Sequence, residues 1–115
     1  ISVTQWFQDY PAASDFLKVL LNCSGFHKGS DNSINISGLC DKSVDATEAR
    51  AESLELTNPA AANKLWGQID QTIMTKDAPW VPLFNPKLVD FIGKRVGNYN
   101  FSLQFYMYVD QLWVK

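Results

Sequence analysis

Two cysteines enclose a long segment that has neither a helical nor a strand pattern, and this pair limits the fold more than any other feature. Cys23 and Cys40 bracket most of 24–42, where glycine, serine and asparagine recur. Their spacing fits no common zinc motif, and the single histidine, His27, leaves too few further ligands. We therefore predict a disulfide, which would close a loop of about 17 residues, stabilise the fold by about 3 kcal/mol and place the protein outside the cytosol. Two buried free thiols are the alternative.

The length and charge of the chain exclude several classes of protein. The 115 residues suffice for one domain or a piece of a larger one, and the net charge is −2 with no clustered basic face. This charge argues against nucleic acid as a partner and against a polybasic membrane patch. No apolar run reaches the roughly 18 residues needed to span a membrane. The chain opens at Ile1 inside a strand pattern, so we expect an excised or processed segment; a mature protein cut after a signal peptide is the alternative.

The amino-terminal segment carries the first candidate site. Residues 1–8 alternate between apolar and polar side chains, which predicts a strand. This strand should stop at Asp9, because Pro11 cannot donate to a strand ladder and pushes Tyr10 into an extended or turn conformation. A carboxylate beside Trp6 and Tyr10 at a strand end indicates a ligand-facing corner. An ordinary strand-to-loop junction is the alternative.

Three helices are predicted next. The first has Ser14 as N-cap and runs to about residue 22; the second has Ser43 as N-cap and covers about 44–56. In the second helix the apolar face is thin, with Val44, Ala51 and Leu54 inward and Asp45, Glu48, Arg50 and Glu52 mostly outward. The third covers 59–76, with Pro59 at its first position and one broad stripe expected in the core: Ala62, Leu65, Trp66, Ile69, Thr72 and Ile73.

The carboxyl-terminal part is expected to be extended. Residues 80–84 are predicted to form a short extended run with two prolines nearby, which favours an edge or crossing segment over a central strand. Residues 87–92 are compatible with a further strand ended by Gly93, and 97–98 with a turn. The tail is dense in aromatic residues, which need a surface to pack against and predict self-association of the isolated chain: Phe101, Phe105, Tyr106, Tyr108 and Trp113.

The sequence carries no arrangement typical of an enzyme. Catalysis needs a base, a nucleophile or a metal within reach of one another, and His27 lies in the polar loop with no acidic pattern nearby. Glycine-rich phosphate loops, nucleophile elbows and Cys-x-x-Cys pairs do not occur. We therefore predict a non-enzymatic protein with no cofactor and no metal.

The order of several motifs resembles a known family. The motifs are Trp6-x-x-Asp9-Tyr10-Pro11, Ser14-Asp15-Phe16-Leu17, Ser37-Gly38-Leu39-Cys40-Asp41, Leu65-Trp66-x-x-Ile69-Asp70 and Asp77-Ala78-Pro79-Trp80-Val81-Pro82-Leu83-Phe84. Together they resemble the carboxy-terminal part of bacterial extracellular solute-binding proteins of family 5, the dipeptide-, oligopeptide- and nickel-binding receptors of ABC importers. The likeness covers nearly the whole chain.

The resemblance implies a fold and a location. It implies an α/β fragment of a two-lobed type II periplasmic-binding-protein fold, with about three helices and a few strands. Residues 1–115 would belong to the second lobe and cross back to the first near 81–92. The complete receptor would lie outside the cytoplasm, anchored by a lipid, and would deliver its solute to a membrane permease.

The resemblance also implies a ligand site. Asp9 would pair with the α-ammonium group of a peptide, Trp6 would line the pocket, and Tyr10 would lie beside them. An aspartate is ionised at neutral pH, so a charge-assisted bond to an ammonium group is chemically suitable. The family's second acidic residue is replaced by Ala12. The alternatives are the same fold binding a sugar or metal chelate, and a free-standing protein-interaction domain.

Overall fold

The computed structural model describes residues 5–102 and 104–115 and has mixed α/β content. Three α-helices come first: α1 (Leu17–Leu21), α2 (Lys42–Leu54) and α3 (Pro59–Thr72). Four two-residue strands follow: β1 (Val96–Gly97), β2 (Phe101–Ser102), β3 (Tyr106–Met107) and β4 (Trp113–Val114). The expectation of about three helices with a few strands is thereby confirmed.

The first predicted helix is split into two pieces. A 3-10 turn, Ala13–Asp15, precedes α1, and Ser14 lies inside that turn without capping anything, so the prediction that Ser14 is the N-cap was wrong. Short helices of this kind are held by burial of their apolar face. In α1 that face consists of Leu17, Leu20 and Leu21.

Helix α2 begins earlier than predicted because a different residue caps it. The Asp41 side chain accepts a hydrogen bond from the Ser43 backbone N–H at 2.8 Å, so Asp41 and not Ser43 is the N-cap. The same carboxylate contacts Lys76 Nζ at 2.9 Å. Hydrogen bonds from Ser43 and then Lys76 hold the pKa of Asp41 well below its usual range.

Helix α3 follows its predicted pattern. Asn58 caps it by accepting from the Ala61 N–H at 3.2 Å, and Pro59 occupies the first position. The helix continues into one π-turn, Ile73–Asp77, and stops at Ala78, which has a left-handed φ of 41°. The predicted extent of 59–76 is therefore nearly correct, with a change of pitch in its last turn.

The core lies between the three helices and contains most of the predicted stripe. The buried apolar side chains of the cluster are Leu17, Leu20, Leu21, Val44, Ala51, Trp66, Ile69 and Ile73. Trp66 also donates from its indole Nε1 to Glu55 at 3.1 Å, which satisfies its polar atom at the edge of the core.

One acidic residue of α2 faces the core, contrary to the prediction that it points outward. Glu48 is fully buried, and its Oε2 accepts a hydrogen bond from Asn22 Nδ2 at 2.6 Å. The helical period explains its position, because Val44, Glu48 and Ala51 share one face at the spacing i, i+4, i+7. Burial raises the pKa of Glu48 above its ordinary value of 4.5.

Neutralising Glu48 should change how stability depends on pH. A raised folded-state pKa stabilises the fold fully below pH 4.5, and this contribution is lost as pH rises through the folded-state pKa. Glu48→Gln should therefore be more stable than the parent protein at pH 8, with the difference vanishing as the pH falls below 4.5. Denaturant unfolding at several pH values measures this, with the half-exposed Glu52→Gln as the matched control. Parallel pH profiles for Glu48→Gln and the parent would contradict the expectation.

The predicted disulfide between Cys23 and Cys40 is present, and the free-thiol alternative was wrong. The enclosed loop is organised further by Asn35, which is fully buried. Its Nδ2 donates to the carbonyl oxygens of Asn22 and Leu39 at 3.1 and 2.8 Å, and its Oδ1 accepts from Ser37 Oγ at 2.7 Å. A loop without regular structure is thus fixed at both ends and at its centre.

The predicted extended elements at both ends are not strands where the structure describes them. Residues 5–8 lie outside any sheet, and Phe7 is exposed whereas Trp6 and Gln8 are half-buried; residues 1–4 are outside the described ranges. Residues 81–92 have no regular secondary structure, so the predicted strand at 87–92 was wrong. A strand needs a partner for its ladder, and within the described ranges these segments have none.

The short strands form two separate antiparallel pairs. Val96 pairs with Val114 and Gly97 with Trp113, while Phe101 pairs with Met107. A Cβ atom at position 97 would overlap with the Trp113 indole, so glycine is favoured there. The predicted turn at 97–98 is shifted, because residue 97 is a strand residue and only Asn98 takes a left-handed φ, of 58°.

The chain is less compact than a typical domain of its size. Its radius of gyration is 18.1 Å, whereas a compact domain of this length has about 13 Å. Aromatic contacts within the tail, such as Phe105 with Tyr108 at 6.2 Å between ring centroids, leave Phe105 61% exposed. The apolar surface of the carboxyl-terminal part is therefore largely uncovered.

Candidate functional site

The predicted ligand corner is a tight turn whose backbone is held by hydrogen bonds. The Asp9 N–H donates to Asp15 Oδ2 at 2.8 Å, and the N–H of Ala12 donates to the Tyr10 carbonyl oxygen at 2.9 Å. The Asp9 carbonyl oxygen accepts a hydrogen bond from the Gln104 side chain. Both backbone polar groups of Asp9 are thus hydrogen-bonded, which fixes the position of its backbone in the turn.

The Asp9 carboxylate is available for a ligand. Asp9 is exposed, and no group in the described part of the chain forms a hydrogen bond with its carboxylate oxygens. The carboxylate lies on a turn, where it can meet an incoming ammonium group without first breaking an ion pair. The geometry therefore permits the role predicted for Asp9 and leaves it a prediction.

The two aromatic residues beside Asp9 lie in different surroundings. Trp6 is half-buried and packs against the helical core, whereas Tyr10 is 40% exposed. Phe7, between them, makes an edge-to-face contact with Tyr106 of β3 at 6.3 Å between ring centroids. The structure therefore places Tyr10 on the same turn as Asp9 and turns Trp6 toward the core.

Tyr10 opens onto a surface groove of about 410 Å³. The groove is lined by Tyr10, Lys18, Val19, Ser24, Gly25, Ile34 and Glu52. Across it, Lys18 Nζ contacts both carboxylate oxygens of Glu52 at 2.7 Å. The hydrogen bond to Glu52 raises the pKa of Lys18, so the groove carries a paired positive and negative charge.

Sequence reasoning missed Asp15 as a member of this turn. Its position after Ser14 suggests a first-turn helix residue, yet its fully buried carboxylate reaches back to Asp9. An aspartate that follows a turn-forming Tyr-Pro pair by a few residues is a weak signal for such a bond, since Asp side chains often bond nearby backbone N–H groups.

The described residues were also searched for a metal site and for a membrane-spanning helix. In 5–102 and 104–115, no three histidine, cysteine or acidic side chains group together in a way that could hold a metal ion. None of the helices in those ranges has the length and apolar character needed to span a bilayer.

The chain is thus a mixed α/β segment with an exposed carboxylate, that of Asp9, on a hydrogen-bonded turn. Comparison with curated proteins finds the di/tripeptide-binding protein 4 of Pseudomonas aeruginosa (strain UCBPP-PA14), with 31% identity over 99 residues. The match covers 86% of this chain and 17% of the relative, so the chain spans about a sixth of the relative's length. That relative is by its name a binding protein, which agrees with the prediction of a non-enzymatic protein. No family model and no solved structure matches the chain.

Proposed function

We propose that this chain is the carboxy-terminal part of the solute-binding component of an ABC importer, and that the complete protein binds short peptides. The observation that carries the proposal is the likeness of 86% of the chain to a segment of a di/tripeptide-binding protein. The mixed α/β content and the order of motifs around Asp9 are consistent with it. The complete protein would pass its peptide to a membrane permease.

Asp9 anchors the amino end of the peptide in this proposal. Its exposed carboxylate on a turn with both backbone groups bonded provides a preorganised acceptor for an ammonium group. Tyr10 forms the adjoining wall toward the groove. Trp6 supports the turn from the core side, and contributes its indole to the pocket once the cleft is complete.

The exposed apolar segment at 81–92 supports the proposed architecture. Its large side chains are among the most exposed of the chain: Val81, Leu83, Phe84, Leu88, Val89 and Phe91. Surfaces of this kind usually pack against another part of a protein. We assign 81–92 to the crossing between the second lobe, to which residues 1–115 belong, and a first lobe that covers these side chains.

A location outside the cytoplasm follows from the same proposal. The Cys23–Cys40 disulfide suits an oxidising compartment such as the periplasm or the cell surface. A receptor in that compartment needs retention near its permease, and we assign this to a lipid anchor on the complete protein.

Thermal unfolding of the complete protein tests the class of ligand. Saturating tri-alanine should raise the melting temperature, since a ligand at 100 times its dissociation constant stabilises the folded state by about 2.7 kcal/mol. Maltotriose and a nickel–histidine chelate, at matched concentrations, should leave the melting temperature unchanged. A shift with the sugar or the chelate and none with the peptide would refute peptide binding.

A further inference from the structure

A buried carboxylate lies directly behind the proposed ammonium anchor. Asp15 is fully buried, and its Oδ2 accepts the Asp9 N–H at 2.8 Å. Its second oxygen, Oδ1, has no hydrogen-bond partner in the described part of the chain. Burying a carboxylate with half of its acceptor capacity unused is costly, and such groups recur where function requires them.

The same short segment carries other buried polar groups without partners. Five buried side-chain polar atoms lack a partner within the described ranges, and three of them belong to residues 6–15. Besides Asp15 Oδ1 they are the donors Trp6 Nε1 and Gln8 Nε2. Trp6 and Gln8 are half-buried, whereas Phe7 between them is exposed. Two unused donors and one unused acceptor therefore lie within six residues of Asp9 along the chain.

We propose that Asp15 is a specificity-determining and positioning residue of the Asp9 site. It fixes the Asp9 backbone through its Oδ2 and places a second negative charge behind the exposed carboxylate, so that the site favours ligands with a positively charged amino end. This inference rests on the proposed function, in which Asp9 binds an ammonium group.

Burial makes the Asp15 charge effective at a distance. The field of an exposed carboxylate such as Asp9 is weakened by water and by salt, whereas a charge surrounded by protein is screened much less. An ammonium group bound at Asp9 would be attracted by both the Asp9 and the Asp15 carboxylates. Discrimination between a free and an acetylated amino end should then persist at high ionic strength.

Two substitutions separate the charge of Asp15 from its structural bond. Asp15→Asn removes the charge, but its amide oxygen can still accept the Asp9 N–H; Asp15→Ala removes both. In the complete protein, calorimetry gives the affinities for tri-alanine and N-acetyl-tri-alanine. We expect Asp15→Asn to weaken tri-alanine about tenfold, equivalent to about 1.4 kcal/mol, and to leave the acetylated peptide unchanged. Asp15→Ala should in addition weaken the acetylated peptide, because the turn loosens.

Asp31 provides the matched control for removal of the Asp15 charge. Asp31→Asn removes the same charge from the exposed loop and should leave both affinities unchanged. If Asp15→Asn and the parent protein show the same ratio of affinities for tri-alanine and N-acetyl-tri-alanine, Asp15 only holds the turn in place and the inference fails. The same ratio of affinities, measured for Asp9→Ala, tests the proposed function separately. If Asp9→Ala leaves this ratio unchanged, Asp9 does not bind the ammonium group, whatever the result for Asp15.

Discussion

Removing the Cys23–Cys40 disulfide should lower the free energy of unfolding by about 3 kcal/mol, the largest effect expected from any change outside the helical core. The bond closes a loop with a sequence separation of 17, and opening it returns loop entropy to the unfolded chain. The Cys23→Ser/Cys40→Ser double variant, compared with the parent protein by denaturant unfolding, measures this loss.

Reductant provides the matched control for this comparison. Cys40 is exposed, so a thiol reductant can reach the bond, and reduced parent protein should unfold at the same denaturant concentration as the double variant. The double variant itself should not respond to reductant. Equal stability of the double variant and the oxidised parent would mean that the hydrogen bonds of Asn35 alone hold the loop.

Asp9→Ala in the complete protein should weaken a peptide with a free amino end by more than tenfold. The substitution removes the proposed charge-assisted acceptor, a loss of more than about 1.4 kcal/mol, while the turn is retained because Asp15 bonds the backbone and not the side chain of residue 9. Calorimetric titration with tri-alanine measures the change.

The exposed Asp31→Ala serves as the control for Asp9→Ala, because it removes the same charge outside the turn. Its affinity for tri-alanine should match that of the parent protein. An unchanged affinity in Asp9→Ala would remove Asp9 from the site and would direct attention to the Lys18–Glu52 pair in the adjoining groove.

The helical part could be predicted from sequence because its signals are local. Asn58 followed by Pro59 marks the start of α3, and the spacing of Trp66, Ile69 and Ile73 defines its buried face. The cysteine pair around a polar loop likewise identified the disulfide. Each of these signals depends on residues close together in the sequence or on one covalent bond.

Features that depend on distant contacts were not predictable in the same way. Asp41 and not Ser43 caps α2, and its carboxylate also binds Lys76 from the π-turn that follows α3. Glu48 lies on the buried face that the helical spacing defines, and Asn22, which is distant in sequence, provides the donor for its buried carboxylate. The apolar pattern of 87–92 suggested a strand, but a strand forms only where a neighbouring edge accepts its hydrogen bonds.

The geometry of the candidate site was predicted only in part. Asp9 and Tyr10 were proposed as site residues from their order in the sequence, and the structure places both on one turn, while their role in binding stays a prediction. Asp15 was missed because its bond to the Asp9 N–H joins residues six positions apart, a spacing that no helical or strand pattern predicts.

The central claim is that the complete protein holds a peptide by its positively charged amino end, and one pair of titrations tests it most directly. Calorimetric titration of the unmodified protein with tri-alanine and with N-acetyl-tri-alanine compares two ligands that differ at that end alone. We expect the free peptide to bind at least tenfold more tightly, because acetylation removes the charge that Asp9 recognises. Equal affinities for the two peptides, or binding of neither, would contradict the claim.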